Sequence, residues 1–118
     1  MERYIDGFVL PVPKANIEKY REMAQKAGEI WKEYGALEFY ECIGDDLEIP
    51  DMLSFRTIAG AKDDETVMFS WIVYESKEQR DKVNEQIMSD PRMDCDKDVF
   101  DFTRMAYGGF KPLVRIVK

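Results

Sequence analysis

At 118 residues the chain has the length of one domain, so residues 1–118 are read as a single unit around one core. Its apolar share of 45% is enough to fold, while a formal charge of −7 sets it against a phosphate backbone and excludes nucleic acid as a natural partner. The chain has no histidine, which removes the usual general base near neutral pH and the commonest ligand for zinc, iron or haem, so no metal or cofactor is expected.

In chain order, Tyr4 to Leu10 is a short aromatic and β-branched run that reads as a strand, stopped by Pro11-Val12-Pro13. No basic segment precedes it, and no apolar run reaches the roughly 20 residues that span a bilayer. A cytoplasmic protein away from membranes is the expectation. From Lys14 to Tyr34, Ile17, Tyr20, Ala24, Ala27, Trp31 and Tyr34 recur in steps of three and four, which predicts a long amphipathic helix closed by Gly35. Ala36 to Ile43 alternates, with Leu37, Phe39, Glu41 and Ile43 on one face, and ends at Gly44-Asp45-Asp46.

Residues 45–65 form an acidic connection that also carries Met52, Leu53, Phe55 and Ile58, more grease than a solvated loop needs, so it is expected to pack over something. Thr66 to Tyr74 is apolar on both faces and reads as a central strand. Ser76 and Gln79 make a capping box for a second helix, whose inward stripe is Val83, Ile87 and Met88 up to Asp90-Pro91. Arg104 to Val117 is expected as a last strand, bulged at Gly108-Gly109 and placed at a sheet edge by Pro112.

Strand, helix, strand repeated twice implies an α+β, ferredoxin-like βαββαβ fold: a four-stranded antiparallel sheet with two helices on one face. The other face then carries aromatics that need a cover. A second copy packed against it makes a homodimer closed like a barrel.

The segments Tyr4 to Pro13, Gly35-Ala36-Leu37-Glu38 with Glu41 to Asp46, Asp64 to Val67 with Phe69 to Tyr74, and Gly108-Gly109-Phe110-Lys111 together resemble the YbaA-like family, domain of unknown function 1428. The resemblance implies a bacterial protein of the dimeric α/β barrel superfamily. That superfamily includes cofactor-independent quinol oxygenases, haem-degrading enzymes, relatives of chlorite dismutase and small dimers with no known reaction. It transfers no catalytic motif onto this chain.

Candidate site residues come from the strands. Asp6 stands between Tyr4 and Phe8; if these three face the barrel, it is a carboxylate in a partly apolar cavity, suited to proton transfer. The structural alternative pairs it with an arginine such as Arg104. Gly7 beside it is a place for a helix to approach. Tyr40, Trp71 and Tyr74, with Tyr107, are candidate walls for a flat ligand, and Arg104 is a candidate binding residue beside them, against the plainer reading of core or dimer interface. Ser70 and Cys42 lack a histidine to activate them, and Cys42 and Cys95 are read as reduced thiols. Asp94, Asp96 and Asp98 open like a calcium loop but fail its pattern at Val99 and Met105. The acids Asp45-Asp46 and Asp63-Asp64-Glu65 read as solvated turns.

The leading functional expectation is a small-molecule enzyme or binder, such as a cofactor-independent oxygenase of electron-rich aromatics with Asp6 as base. The alternative is a non-catalytic dimer that binds a metabolite or a protein through residues 45–65.

Overall fold

The computed structural model describes residues 2–93 and 98–118. Strands β1 (Tyr4–Pro13), β2 (Glu38–Ile43), β3 (Glu65–Tyr74) and β4 (Ala106–Phe110) form one antiparallel sheet in the order β2-β3-β1-β4. The helices are α1 (Ile17–Tyr34), α2 (Phe55–Ala59) and α3 (Lys77–Met88). This is the expected α+β ferredoxin-like order, with one short helix added in the connection between β2 and β3.

The register sorts the side chains by face. Tyr4↔Tyr74, Asp6↔Ile72, Phe8↔Ser70 and Leu10↔Met68 pair β1 with β3, and Phe39↔Ile72 and Glu41↔Ser70 pair β2 with β3. Because side chains alternate along a strand, all of these share one face. That face carries the core, which falls into two clusters. Leu10, Val12 and Met68 pack under Tyr20 and Ala24 of α1 with Val99 and Phe100, while Ile72 and Tyr74 pack with Ile30 of α1 and with Val83 and Ile87 of α3. Both long helices therefore cover the same side.

Local signals act where expected. Gly35 ends α1 at φ +122°, and Ser76 caps α3 by accepting from the Gln79 N–H at 3.1 Å. Asn16 makes no side-chain cap for α1; its amide donates instead to the Val99 carbonyl, tying residues 98–99 to the helix start.

Five expectations are corrected. β1 does not stop at Leu10 but runs through Pro11 and Pro13, which pair in register with Val67 and Glu65. β4 pairs with β1 only from Ile5 to Val9, so beyond Val9 a proline nitrogen can face the vacant side without removing a ladder bond. β4 is shorter than Arg104 to Val117, and Gly108 and Gly109 sit in regular register with Gly7 and Asp6 and form no bulge. These glycines provide room: a Cβ on Gly109 would strike the Tyr4 hydroxyl, and one on Gly7 would lie 3.3 Å from the Phe110 ring. Gly7 thus admits an aromatic ring on the face away from the helices, not a helix. Met88, finally, is exposed at the end of α3 and not part of its inward stripe.

The opposite face of the sheet is only partly covered. α2 is capped by Ser54 and closed by Gly60 at φ +65°, and it rests on one corner, with Phe55 edge-on to Phe69 at 5.8 Å. Arg56 ties it down by donating to the carbonyls of Lys62 and Glu65. The 45–65 connection therefore packs on the sheet as expected, yet Met52, Leu53 and Ile58 stay exposed. Beyond β4, Leu113, Val114, Ile116 and Val117 are exposed as well. Among the described residues no helix is long and apolar enough to cross a membrane.

Candidate functional site

Directly across from Glu41 on β2 stands Ser70 on β3, and across from Ser70 on its other side stands Phe8 of β1. Tyr20 comes down from α1 onto this row. Its hydroxyl donates to Oε1 of Glu41 at 2.8 Å, and the Ser70 hydroxyl donates to the same oxygen. Tyr20 and Ser70 are buried, and the Tyr20 ring is set edge-on against Phe100 at 5.5 Å.

These three polar groups line a cavity of about 170 Å³ between α1 and the sheet, walled mainly by Phe8, Met23, Trp31, Phe39, Ile72 and neighbouring apolar side chains, with Lys26, Tyr40 and Arg92 also on its border. An outer groove of about 550 Å³ runs between α1 and the edge strand β2, and Tyr20 and Glu41 belong to its lining too. Glu41 is thus shared by an inner apolar space and an outer channel. The residue as a whole is exposed to the groove, but enough protein surrounds its carboxyl to push its pKa up, against the two hydroxyls that favour the charged form. Burial, and then the neighbouring carboxylate, raise the Tyr20 phenol far above its usual range, so Tyr20 acts as a hydroxyl donor and not as a phenolate.

Asp6 lies elsewhere on the same face, under α3 and outside the cavity lining. It is 1% exposed, and its carboxylate meets Arg80 Nη1 at 2.8 Å and accepts from the Tyr74 hydroxyl at 3.0 Å. Trp31 Nε1 donates in turn to the Tyr74 oxygen, Arg80 also donates to Tyr107, and the guanidinium sits 4.8 Å above the Tyr4 ring. Asp6 therefore faces the helices instead of the open side of the sheet. Its ion-pair partner is Arg80; Arg104 is engaged with Glu65 at the far end of β3.

Of the remaining expected site residues Tyr40 borders the cavity, while Trp71, Tyr74, Arg104 and Tyr107 are not part of its lining. Tyr40 and Trp71 stack across strands at 4.6 Å on the open face, where Phe69 and Phe110 are also exposed. Tyr74 is fully buried under α3, and Tyr107 stacks on Phe8 at 4.9 Å. Cys42 is half-buried on the open-face register. Cys95, Asp94 and Asp96 lie outside the described residues.

The pattern that marks Glu41 was present in the sequence: an acid in register with Leu37, Phe39 and Ile43 is an acid on a core-facing row. What periodicity did not supply was Tyr20, 21 positions away, which reaches Glu41 only once α1 lies across the sheet.

The model of the family described as protein of unknown function (DUF1428) matches residues 3–103. The uncharacterized protein YbaA of Escherichia coli K12 is 46% identical over 114 residues, spanning 95% of this chain and 97% of that one, and the YbaA protein of Shigella flexneri matches equally. A crystal structure described as a dimeric ferredoxin-like protein from an uncultured marine organism superposes with a TM-score of 0.55 at 9% identity, covering the whole of both chains. At that identity it supports the fold alone.

Proposed function

The chain belongs to the DUF1428 family, whose function is unassigned, so activity must be read from its own site, and we propose that it is a homodimeric small-molecule-binding protein. The ligand occupies the cavity between α1 and the sheet, with Glu41 as its polar anchor. One observation carries this reading: in a largely apolar space, two hydroxyls converge on one oxygen of a carboxylate that also borders an open groove. Binding sites commonly combine apolar walls with a few convergent polar groups. The volume suits a single ring, since an engineered apolar cavity of roughly 150 Å³ holds benzene.

Any proton the ligand gives up or takes is exchanged with Glu41 in this reading. Asp6 is held by Arg80 and Tyr74 and serves the fold. In this reading the stacked rings of Tyr40 and Trp71 belong to the dimer interface, and Tyr40 borders the cavity as well. Support for the dimer comes from the exposed Tyr40, Phe69 and Phe110 on the uncovered face, from the exposed aliphatic tail after β4, and from the fold neighbour described as dimeric.

Two experiments test the two halves. Single-ring compounds should raise the melting temperature of the wild type, by about 2.7 kcal/mol of stabilisation at a hundredfold excess over Kd. Ala27→Leu, which fills the cavity from α1, should fold and abolish that rise. Equal shifts in the two proteins would place the ligand elsewhere. Light scattering should give a dimer for the wild type and a monomer for Phe110→Asp; a monomeric wild type removes the barrel-like assembly.

A further inference from the structure

The identity of the polar groups around the cavity limits the ligand further. Tyr20 and Ser70 each have one hydroxyl proton, and both are spent on Oε1 of Glu41. That oxygen, with two donors, has its lone pairs filled. Among the described residues no donor reaches Oε2. What the trio has left to offer is therefore lone pairs alone: those of Oε2 and those remaining on the two hydroxyl oxygens.

The other nitrogens near the cavity do not alter this. Trp31 Nε1 is committed to Tyr74, while Arg92 gives Nε and Nη2 to Asp90 and Glu33 and, 48% exposed, borders the cavity from its solvent side. Lys26 borders the cavity from the exposed side of α1, at the rim. At the trio, where only acceptors are left, a ligand donor is satisfied and a ligand acceptor stays unpaired, and an unpaired buried polar group is costly. A carboxylate among those acceptors also repels anions.

Resting on the cavity reading above, we propose that the ligand is a single-ring compound bearing an O–H or N–H donor, a hydroxy- or amino-substituted ring, and that Oε2 of Glu41 accepts its hydrogen bond. Glu41 sets the chemical class of the ligand. The apolar walls set its size.

The test uses the full-length protein and three probes of similar size: phenol, anisole, in which a methyl group masks the donor, and benzaldehyde, which has only an acceptor. Calorimetric titration of the wild type should show phenol binding at least tenfold more tightly than anisole or benzaldehyde. In Glu41→Gln the amide oxygen keeps the two hydroxyl donors, so the amide N–H₂ replaces Oε2 as the free group. The phenol preference should vanish there and benzaldehyde should gain, while anisole binds as in the wild type. Equal wild-type affinities for phenol and anisole would overturn the proposal without recourse to any variant, as would a phenol preference that survives Glu41→Gln. If anisole and phenol bind equally well and Ala27→Leu excludes both, the cavity stands and only the assignment to Glu41 falls. If none of the three binds the wild type, the cavity reading falls and takes this one with it.

Discussion

Replacing Arg80 with methionine should be among the most damaging single changes available in this protein. Arg80 is 13% exposed, and through Nη1 it meets both the Asp6 carboxylate, which is 1% exposed, and the Tyr107 hydroxyl. Methionine keeps much of the packing over the Tyr4 ring but leaves Asp6 with only uncharged partners, the hydroxyls of Tyr74 and Tyr107, among the described residues. Removing one member of a buried ion pair costs about 3–5 kcal/mol, because the other charge remains desolvated. Against a typical domain stability of about 5–15 kcal/mol this is a large fraction, equivalent to a melting temperature lower by roughly 10–25 °C. Urea titration at fixed protein concentration measures it, the concentration being held because a dimer's stability depends on it. The double variant Asp6→Leu with Arg80→Met removes both charges and should recover most of the loss, since a buried pair exchanged for apolar residues is often close to neutral. A loss below about 1 kcal/mol in Arg80→Met would refute the argument, as it would mean that Asp6 is not held desolvated.

Acid should act through a second pair. Hydrogen bonds from Arg104 hold the Glu65 carboxyl down at about 2, against its ordinary 4.5. A pKa lowered by folding gives stability that is present above 4.5 and lost as pH falls from there towards 2. Urea midpoints of Arg104→Gln should therefore fall below the wild type at pH 6 and converge with it near pH 2; a constant gap across that range would refute the assignment. Gly28 should resist the exchange that normally favours a helix. Alanine in a helix interior gains about 1 kcal/mol over glycine, but here its Cβ would lie 2.7 Å from the Phe39 ring. Gly28→Ala should cost about 1 kcal/mol net in thermal or urea unfolding, and the same change made on a Phe39→Leu background should stabilise. If it destabilises equally on both backgrounds, the ring contact is not the cause.

Much of the fold could be read along the chain because its signals are local. The three- and four-residue steps from Ile17 to Tyr34, the positive φ at Gly35, the Ser76 cap and the two-sided apolar run of β3 each report on residues close in sequence. Errors arose where the decisive neighbour lies far away. Pro11 and Pro13 read as a stop because nothing nearby says that β4 ends before them and leaves that side of β1 vacant. Gly108-Gly109 read as a bulge because the Tyr4 hydroxyl that occupies the space over Gly109 is more than a hundred positions upstream.

The candidate site divides in the same way. Alternation alone put Glu41 in register with Phe39 and Ile43, and Asp6 with Tyr4 and Phe8, so strand periodicity suffices to set two acids on rows rich in apolar side chains. Which acid is neutralised was decided by the tertiary structure. α3 lays Arg80 on Asp6, 74 positions away, while α1 brings to Glu41 only the hydroxyl of Tyr20. Periodicity reports which face of an element a side chain takes. It holds no information about which distant side chain will meet it there, and that partner decides whether a carboxylate on a core-facing row enters an ion pair, as Asp6 does, or is met by hydroxyls alone, as Glu41 is.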